Sequence, residues 1–146
     1  MRFWDSSAIV PLLVPQPATK AVESLLEADA SMLVWWGTSV ECVSALARLE
    51  RERLLSPDDV GVAQKRLNAL AQGWHEVQPH VKVRAAAERL LRVHPLRAAD
   101  ALQLAAALEV AGASAAGVAF VCLDRRLGEA AAREALSVID GGARAR

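Results

Sequence analysis

The chain has no tyrosine, only two phenylalanines and two cysteines, and no surplus of charge of either sign. Cys42 and Cys122 each lie inside an apolar segment, so they read as small buried hydrophobes in a reducing compartment rather than a disulfide framework. Seventeen Lys+Arg against seventeen Asp+Glu leave a formal net charge of zero, without the basic excess that a general nucleic-acid binder carries. Any grip on phosphate must therefore come from a local patch or from metal ions. Apolar runs are interrupted by Arg, Glu or Asp well short of the ~18 residues a membrane span requires. Met1 leads straight into a strand-like Arg2-Phe3-Trp4 rather than a basic and then apolar leader, and the expected compartment is the cytoplasm, with no membrane partner.

Several catalytic signatures are missing too. No GxGxxG or GxxxxGK loop is present to cradle phosphates, and no GxSxG elbow supports a serine hydrolase. His75, His80 and His94 lack zinc-like spacing and have no cysteine nearby. A phospho-acceptor receiver domain would want a lysine after a late strand, whereas Lys20, Lys65 and Lys82 all fall in helical patterns.

What is present is a globular chain of 146 residues, 53% hydrophobic and 23% charged. That length suits a single domain able to bury roughly 68–70% of its unfolded surface without disulfides or a structural metal. Short apolar runs alternate with longer helical patterns. Strands are expected at Phe3-Trp4, Met32 to Trp35, Trp74 to Val77, Val118 to Cys122 and Val138-Ile139. Ser6 and Ser7 offer caps for a short helix, and Ala18 to Ala28 carries apolar residues at helical spacing. Thr38 and Glu41 have the spacing of a capping box, with Arg48 to Arg53 as a charged outer face. Ser56-Pro57-Asp58-Asp59 starts a helix that runs to about Gly73. Further helices are expected over Val81–Val93, over Ala98–Ala111 with Gly112 as the stop, and over Leu127–Leu136. Strands separated by helices need crossover connections. The fold class is therefore α/β, a three-layer sandwich with a central parallel sheet of four to five strands flanked by helices, spanning 1–140, with a flexible tail at 141–146.

An α/β sheet presents its functional groups beyond the carboxyl ends of its strands. Asp5 and Asp124 follow the first strand and the strand at 118–122, while Glu41 and Asp100 lie in apolar surroundings near helix starts. Each has a purely local alternative: Asp5 as a cap, Glu41 as partner of Thr38, Asp100 answering a helix dipole, Asp124 in a turn. As a set they say more. Four carboxylates within ~6 Å of one another would repel by roughly 2–3 kcal/mol per pair at an effective dielectric near 20. The total, on the order of 15 kcal/mol, rivals the whole stability of a domain. Protons or divalent cations must neutralise such a cluster. Oxygen-only ligation suits Mg²⁺ or Mn²⁺, and paired ions stabilise in-line displacement at phosphorus.

Four motifs carry a resemblance: Asp5-Ser6-Ser7-Ala8, Glu41 early in its helix, Asp100-Ala101-Leu102-Gln103-Leu104-Ala105-Ala106-Ala107, and Cys122-Leu123-Asp124-Arg125-Arg126-Leu127. In order and spacing, over about residues 1 to 140, they resemble the PIN-domain ribonucleases, above all the VapC toxins of bacterial toxin–antitoxin pairs. The resemblance implies a PIN-like fold, an acidic pocket binding Mg²⁺ or Mn²⁺, endonucleolytic cleavage of RNA, a VapB-like antitoxin that occludes the site, and a homodimer. Carried over by position, Asp5, Glu41, Asp100 and Asp124 are the catalytic, metal-binding acids. Ser7 matches a hydroxyl beside the first Asp. Cys122 departs from the family's usual Thr or Ser two residues before the last Asp, which removes a hydroxyl from the supporting hydrogen bonds. Gln103, one turn after Asp100, is placed either to orient that acid or to lie as an ordinary helix-surface glutamine. Arg97, Arg125 and Arg126 flank Asp100 and Asp124 and are candidates for gripping phosphates. Two other readings stay open: a PIN fold serving as an RNA-binding or interaction module without catalysis, and a two-metal phosphohydrolase acting on another nucleic acid.

Overall fold

The computed structural model describes residues 1–112 and 117–142. Five parallel strands, β1 (Arg2–Trp4), β2 (Met32–Trp35), β3 (His75–Val77), β4 (Ala119–Val121) and β5 (Ser137–Ile139), form one sheet in the order β3-β2-β1-β4-β5. The helices between them are α1 (Ser6–Leu13), α2 (Thr19–Ala28), α3 (Thr38–Arg51), α4 (Pro57–Ala71), α5 (Val81–Val93), α6 (Ala98–Ala111) and α7 (Arg125–Arg133). The parallel α/β sandwich expected from the sequence is what forms, with five strands.

Alternation along the strands builds the two cores. Phe3, Leu33, Trp35 and Phe120 point to one face and meet α5, α6 and α7. Trp4, Met32, Val34 and Val121 point to the other and meet α1 to α4. A strand covered on both faces has no polar side, which is why these segments read as short continuous apolar runs. Phe3 and Phe120 are register partners with ring centroids 5.7 Å apart, a stacking that ties the two central strands together.

The helix starts follow capping chemistry, with some departures from the sequence reading. Ser56 and Asp59 close a reciprocal capping box on α4, with Pro57 at its first position. Gly112, at φ 54°, ends α6 in a backbone conformation that glycine adopts without strain. At α1 the cap is Asp5 itself, rather than Ser6 or Ser7: the carboxylate accepts from the backbone of Ser7. The capping box expected between Thr38 and Glu41 does not form. Gly37 occupies the cap position of α3, and a Cβ there would stand 2.7 Å from the Trp35 indole nitrogen. Thr38 falls inside the helix, and Glu41 is drawn elsewhere. Helix α7 begins at Arg125, earlier than the apolar pattern from Leu127 implied, because Asp124 caps it. Of the tail expected over 141–146, residues 143–146 lie outside the described residues.

Strand order reverses at β1, which pairs with β2 on one side and β4 on the other. The crevice beyond the carboxyl ends of these strands is the place where such sheets bind ligands.

Candidate functional site

Asp5 enters this crevice directly from β1. Its backbone extends the ladder by one bond to Val121 (3.0 Å), and its side chain, almost fully buried, caps α1. One carboxylate oxygen accepts from the Ser7 backbone (3.1 Å) and from the Ser7 hydroxyl (2.5 Å). That hydroxyl in turn accepts from the backbone N–H groups of Leu123 (2.9 Å) and Asp124 (3.2 Å). Ser7 thus ties the first acid to the turn that carries the last. Cys122 joins the arrangement: its sulfur lies 3.7 Å from the same Asp5 oxygen and 3.3 Å from the Asp124 carbonyl. A thiol is a weak donor, so the contact that a hydroxyl would strengthen is present in a longer, softer form. Burial, with the charge of Asp5 adding to it, pushes the Cys122 thiol up, so it stays protonated.

Asp124 stands at the start of α7, accepting from the Leu127 backbone (2.8 Å). Asp100 sits in the first turn of α6 and accepts from the Arg97 backbone (3.3 Å). Glu41, in the first turn of α3, accepts from the Gln103 amide at 2.6 Å, and the same amide nitrogen lies 3.1 Å from the Thr38 hydroxyl. Gln103 is wholly buried, and its amide oxygen has no partner among the described residues. It therefore positions Glu41 across the interface between α6 and α3, not Asp100 as its spacing suggested. Gln103 shares a helix face with Asp100 but lies one turn deeper along α6, where α3 covers it and its amide meets Thr38 and Glu41.

Asp5, Glu41, Asp100 and Asp124 all line one cavity of about 470 Å³, together with Ser7. Three of these acids are pushed above the usual carboxylate range. Burial does most of this for Asp5, against the lowering hydrogen bonds of Ser7, and the Asp100 charge adds to it. Glu41 is pushed up to about 7 by burial and then by Asp5, with Gln103 opposing and Asp100 adding. Asp100 is raised by burial and by Asp124, against the Arg97 backbone bond. The four charges therefore feel one another. Yet among the described residues no three Asp, Glu, His or Cys side chains are gathered into a ready metal cage. Asp5, Asp100 and Asp124 each spend a carboxylate oxygen on a helix start.

The arginines expected to flank the site do not line it. Arg125 points outward and pairs with Glu129 at 2.9 Å. Arg97 and Arg126 reach Asp100 only as nearby charges that lower its proton affinity. The cavity is lined instead by Arg48 and Arg51, with Ser44 and Gln16. Their signal was in the sequence, seven and ten positions after Glu41 on the same helix, but there they read as part of a charged outer face.

A three-layer parallel α/β protein with an acidic crevice at the switch point of its sheet is the class that fold and site define. The profile of the PIN domain matches residues 2–133, and the chain belongs to that family. PIN domains are generally nucleases. Among solved structures the chain is similar to FitAcB from Neisseria gonorrhoeae, with a TM-score of 0.67 and 20% identity over 97% of this chain and 98% of that one. It is also similar to FitAB bound to an IR36 DNA fragment (TM-score 0.66, 19% identity, 97% and 95% covered). A toxin–antitoxin complex from Klebsiella pneumoniae matches with a TM-score of 0.60 and 12% identity over 85% and 87%. At these identities the likeness is one of fold. No curated protein matches the chain in sequence.

Proposed function

We propose that this protein is a divalent-metal-dependent endoribonuclease and the toxin of a toxin–antitoxin pair. The observation that carries the reading is the convergence of four carboxylates, from four separate segments of the chain, on one cavity where three of them hold protons unusually tightly. Crowded, partly desolvated carboxylates are a donor set that a hard cation relieves. Asp5, Glu41, Asp100 and Asp124 would hold Mg²⁺ or Mn²⁺, with water completing the shell. A bound ion supplies Lewis acidity at the phosphodiester and neutralises its charge.

The chain's own residues set the stage for that chemistry. Gln103 holds the Glu41 carboxylate facing the cavity. Ser7 donates to Asp5 while fixing the backbone of the turn at Asp124, so the two acids keep their relative placement. Glu41, pushed up to about 7 by burial and by Asp5, would have to give up its proton to ligate an ion.

An antitoxin partner is supported by structural neighbours described as a toxin–antitoxin complex and as FitAB. Homodimerisation belongs to the same proposal, and exposed Trp36, Val40 and Val43, at the end of β2 and the start of α3, offer an apolar surface for it. No helix among the described residues is long and apolar enough to cross a membrane, in keeping with a cytoplasmic site of action.

The test is RNA cleavage with Mg²⁺ or Mn²⁺ by the wild type and by Asp5→Asn. Asparagine caps a helix as well as aspartate does, so the variant is expected to fold and to lose cleavage. Equal cleavage by both proteins refutes the assignment. Absence of metal-dependent cleavage in the wild type selects the PIN module without catalysis.

A further inference from the structure

The acid cavity also contains two guanidiniums that the protein itself leaves unused. Arg48 and Arg51 line it and are exposed. Neither guanidinium makes an ion pair or a hydrogen bond among the described residues. Other exposed arginines, among them Arg53, Arg84 and Arg92, are likewise unpaired; what sets Arg48 and Arg51 apart is that they line the acid cavity.

Helical geometry aligns these two with the chemistry. Glu41, Ser44, Arg48 and Arg51 recur at i, i+3, i+7 and i+10, which places them on one face of α3. Cys42 and Leu46 occupy the buried face. At 1.5 Å per residue, Arg48 lies roughly 10 Å and Arg51 roughly 15 Å along the axis from Glu41. A row with an acid at one end, a hydroxyl next and two guanidiniums beyond has the order that a polyanion needs if one phosphate sits among the acids and its neighbours run along the helix. A guanidinium meets phosphate with two parallel hydrogen bonds, a geometry that an ammonium cannot match.

We propose that Arg48 and Arg51, with Ser44, form a phosphate-binding subsite along α3 that holds the single-stranded backbone beside the scissile position. The inference rests on the nuclease reading and gives the substrate its path. A single strand fits because one helix row can follow only one backbone. The subsite also offsets the acids. The lining carries four carboxylates against two guanidiniums, so without cations the cavity repels a polyanion, and the arginines are the part of the wall that attracts it.

Both arginines also lie in the last turn of α3, where they oppose the negative end of the helix dipole. A role confined to the helix would alter stability and leave nucleic-acid binding unchanged. The experiment therefore measures anisotropy of a fluorescein-labelled oligouridylate with Mg²⁺ across a salt series, on the Asp5→Asn background so that the probe stays intact. Each of Arg48→Ala and Arg51→Ala is expected to weaken binding several-fold and to reduce the slope of log K against log salt by about 0.7. Arg48→Lys should keep the slope and lose part of the affinity. Arg92→Ala, which removes one charge from α5 outside the cavity, is expected to bind as the parent does. Alanine variants that retain the parental slope overturn the subsite, as does an equal loss from Arg92→Ala or a parent that does not bind the probe. The two readings fail separately. A protein that cuts RNA with an unaltered slope loses only the subsite, and one that binds through Arg48 and Arg51 without cutting loses only the nuclease.

Discussion

Glu41 shows what the cavity does to a single residue. In the unfolded chain it titrates as an ordinary glutamate. In the folded protein, burial and then Asp5 push it up to about 7, with Gln103 opposing and Asp100 adding. Between those two values the folded state holds a proton that the unfolded state has released, so this residue's contribution to stability falls as pH rises from about 4.5 to about 7 and stays low above it. Asp5 and Asp100, also raised, act in the same direction. Glu41→Gln removes the penalty and can still accept from Gln103. Without added metal, the variant should be more stable than wild type at high pH by about 1–3 kcal/mol, once the partial exposure of Glu41 is allowed for, and similar to it in acid. Urea titrations across the range check this, and matching curves at every pH would mean that Glu41 is not held charged against its neighbours.

Among the elements, α7 is held at both ends. Asp124 caps its start and belongs to the acid rim. Glu134, just past its end, receives both Arg89 guanidinium nitrogens (3.2 and 2.9 Å) and lies 2.7 Å from the His94 ring nitrogen. This pairing joins α7 to the last turns of α5, which lead into Asp100. Hydrogen bonding by Arg89, reinforced by His94, holds Glu134 below its usual range. The sign is opposite to that of Glu41: its stabilisation is present above the unfolded value and is lost as pH falls through the lowered folded one. Glu134→Gln should cost about 1–3 kcal/mol near neutral pH, read from thermal or urea melts. A change under a few tenths would show the pairing to be a solvated surface contact.

At the scale of the whole molecule, the folded state carries a repulsion among its acids that a cation bound between them would remove, so on the proposed reading stability and metal binding would be linked. An ion that binds only the native state stabilises it by about 2.7 kcal/mol at a hundredfold excess over its dissociation constant. Millimolar Mg²⁺ or Mn²⁺ should therefore raise the melting temperature of the wild type by several degrees. Asp100→Asn, which removes one charge from the rim and leaves an amide oxygen for the Arg97 backbone, should show a smaller rise. A wild type indifferent to both ions would mean that the four acids do not share one.

Much of the architecture was legible in the residues alone. Doubly buried strands must be short and apolar and their connections must cross over, so five such runs between helical patterns already implied a parallel sheet. The four acids were legible because strand ends and helix starts can be located by local rules. Hidden from such rules was anything that depends on rotation about a helix or on contact between distant segments. Gln103 shares a helix face with Asp100, but the approach of α3 buries its amide and brings it onto Glu41. Arg48 and Arg51 read as an outer face until α3 docked against α1 and made that face a wall of the cavity. Local backbone preference and hydrophobic pattern determined which elements form; only the packing of those elements decided which charges meet, because electrostatic coupling follows distance in space and not separation along the chain.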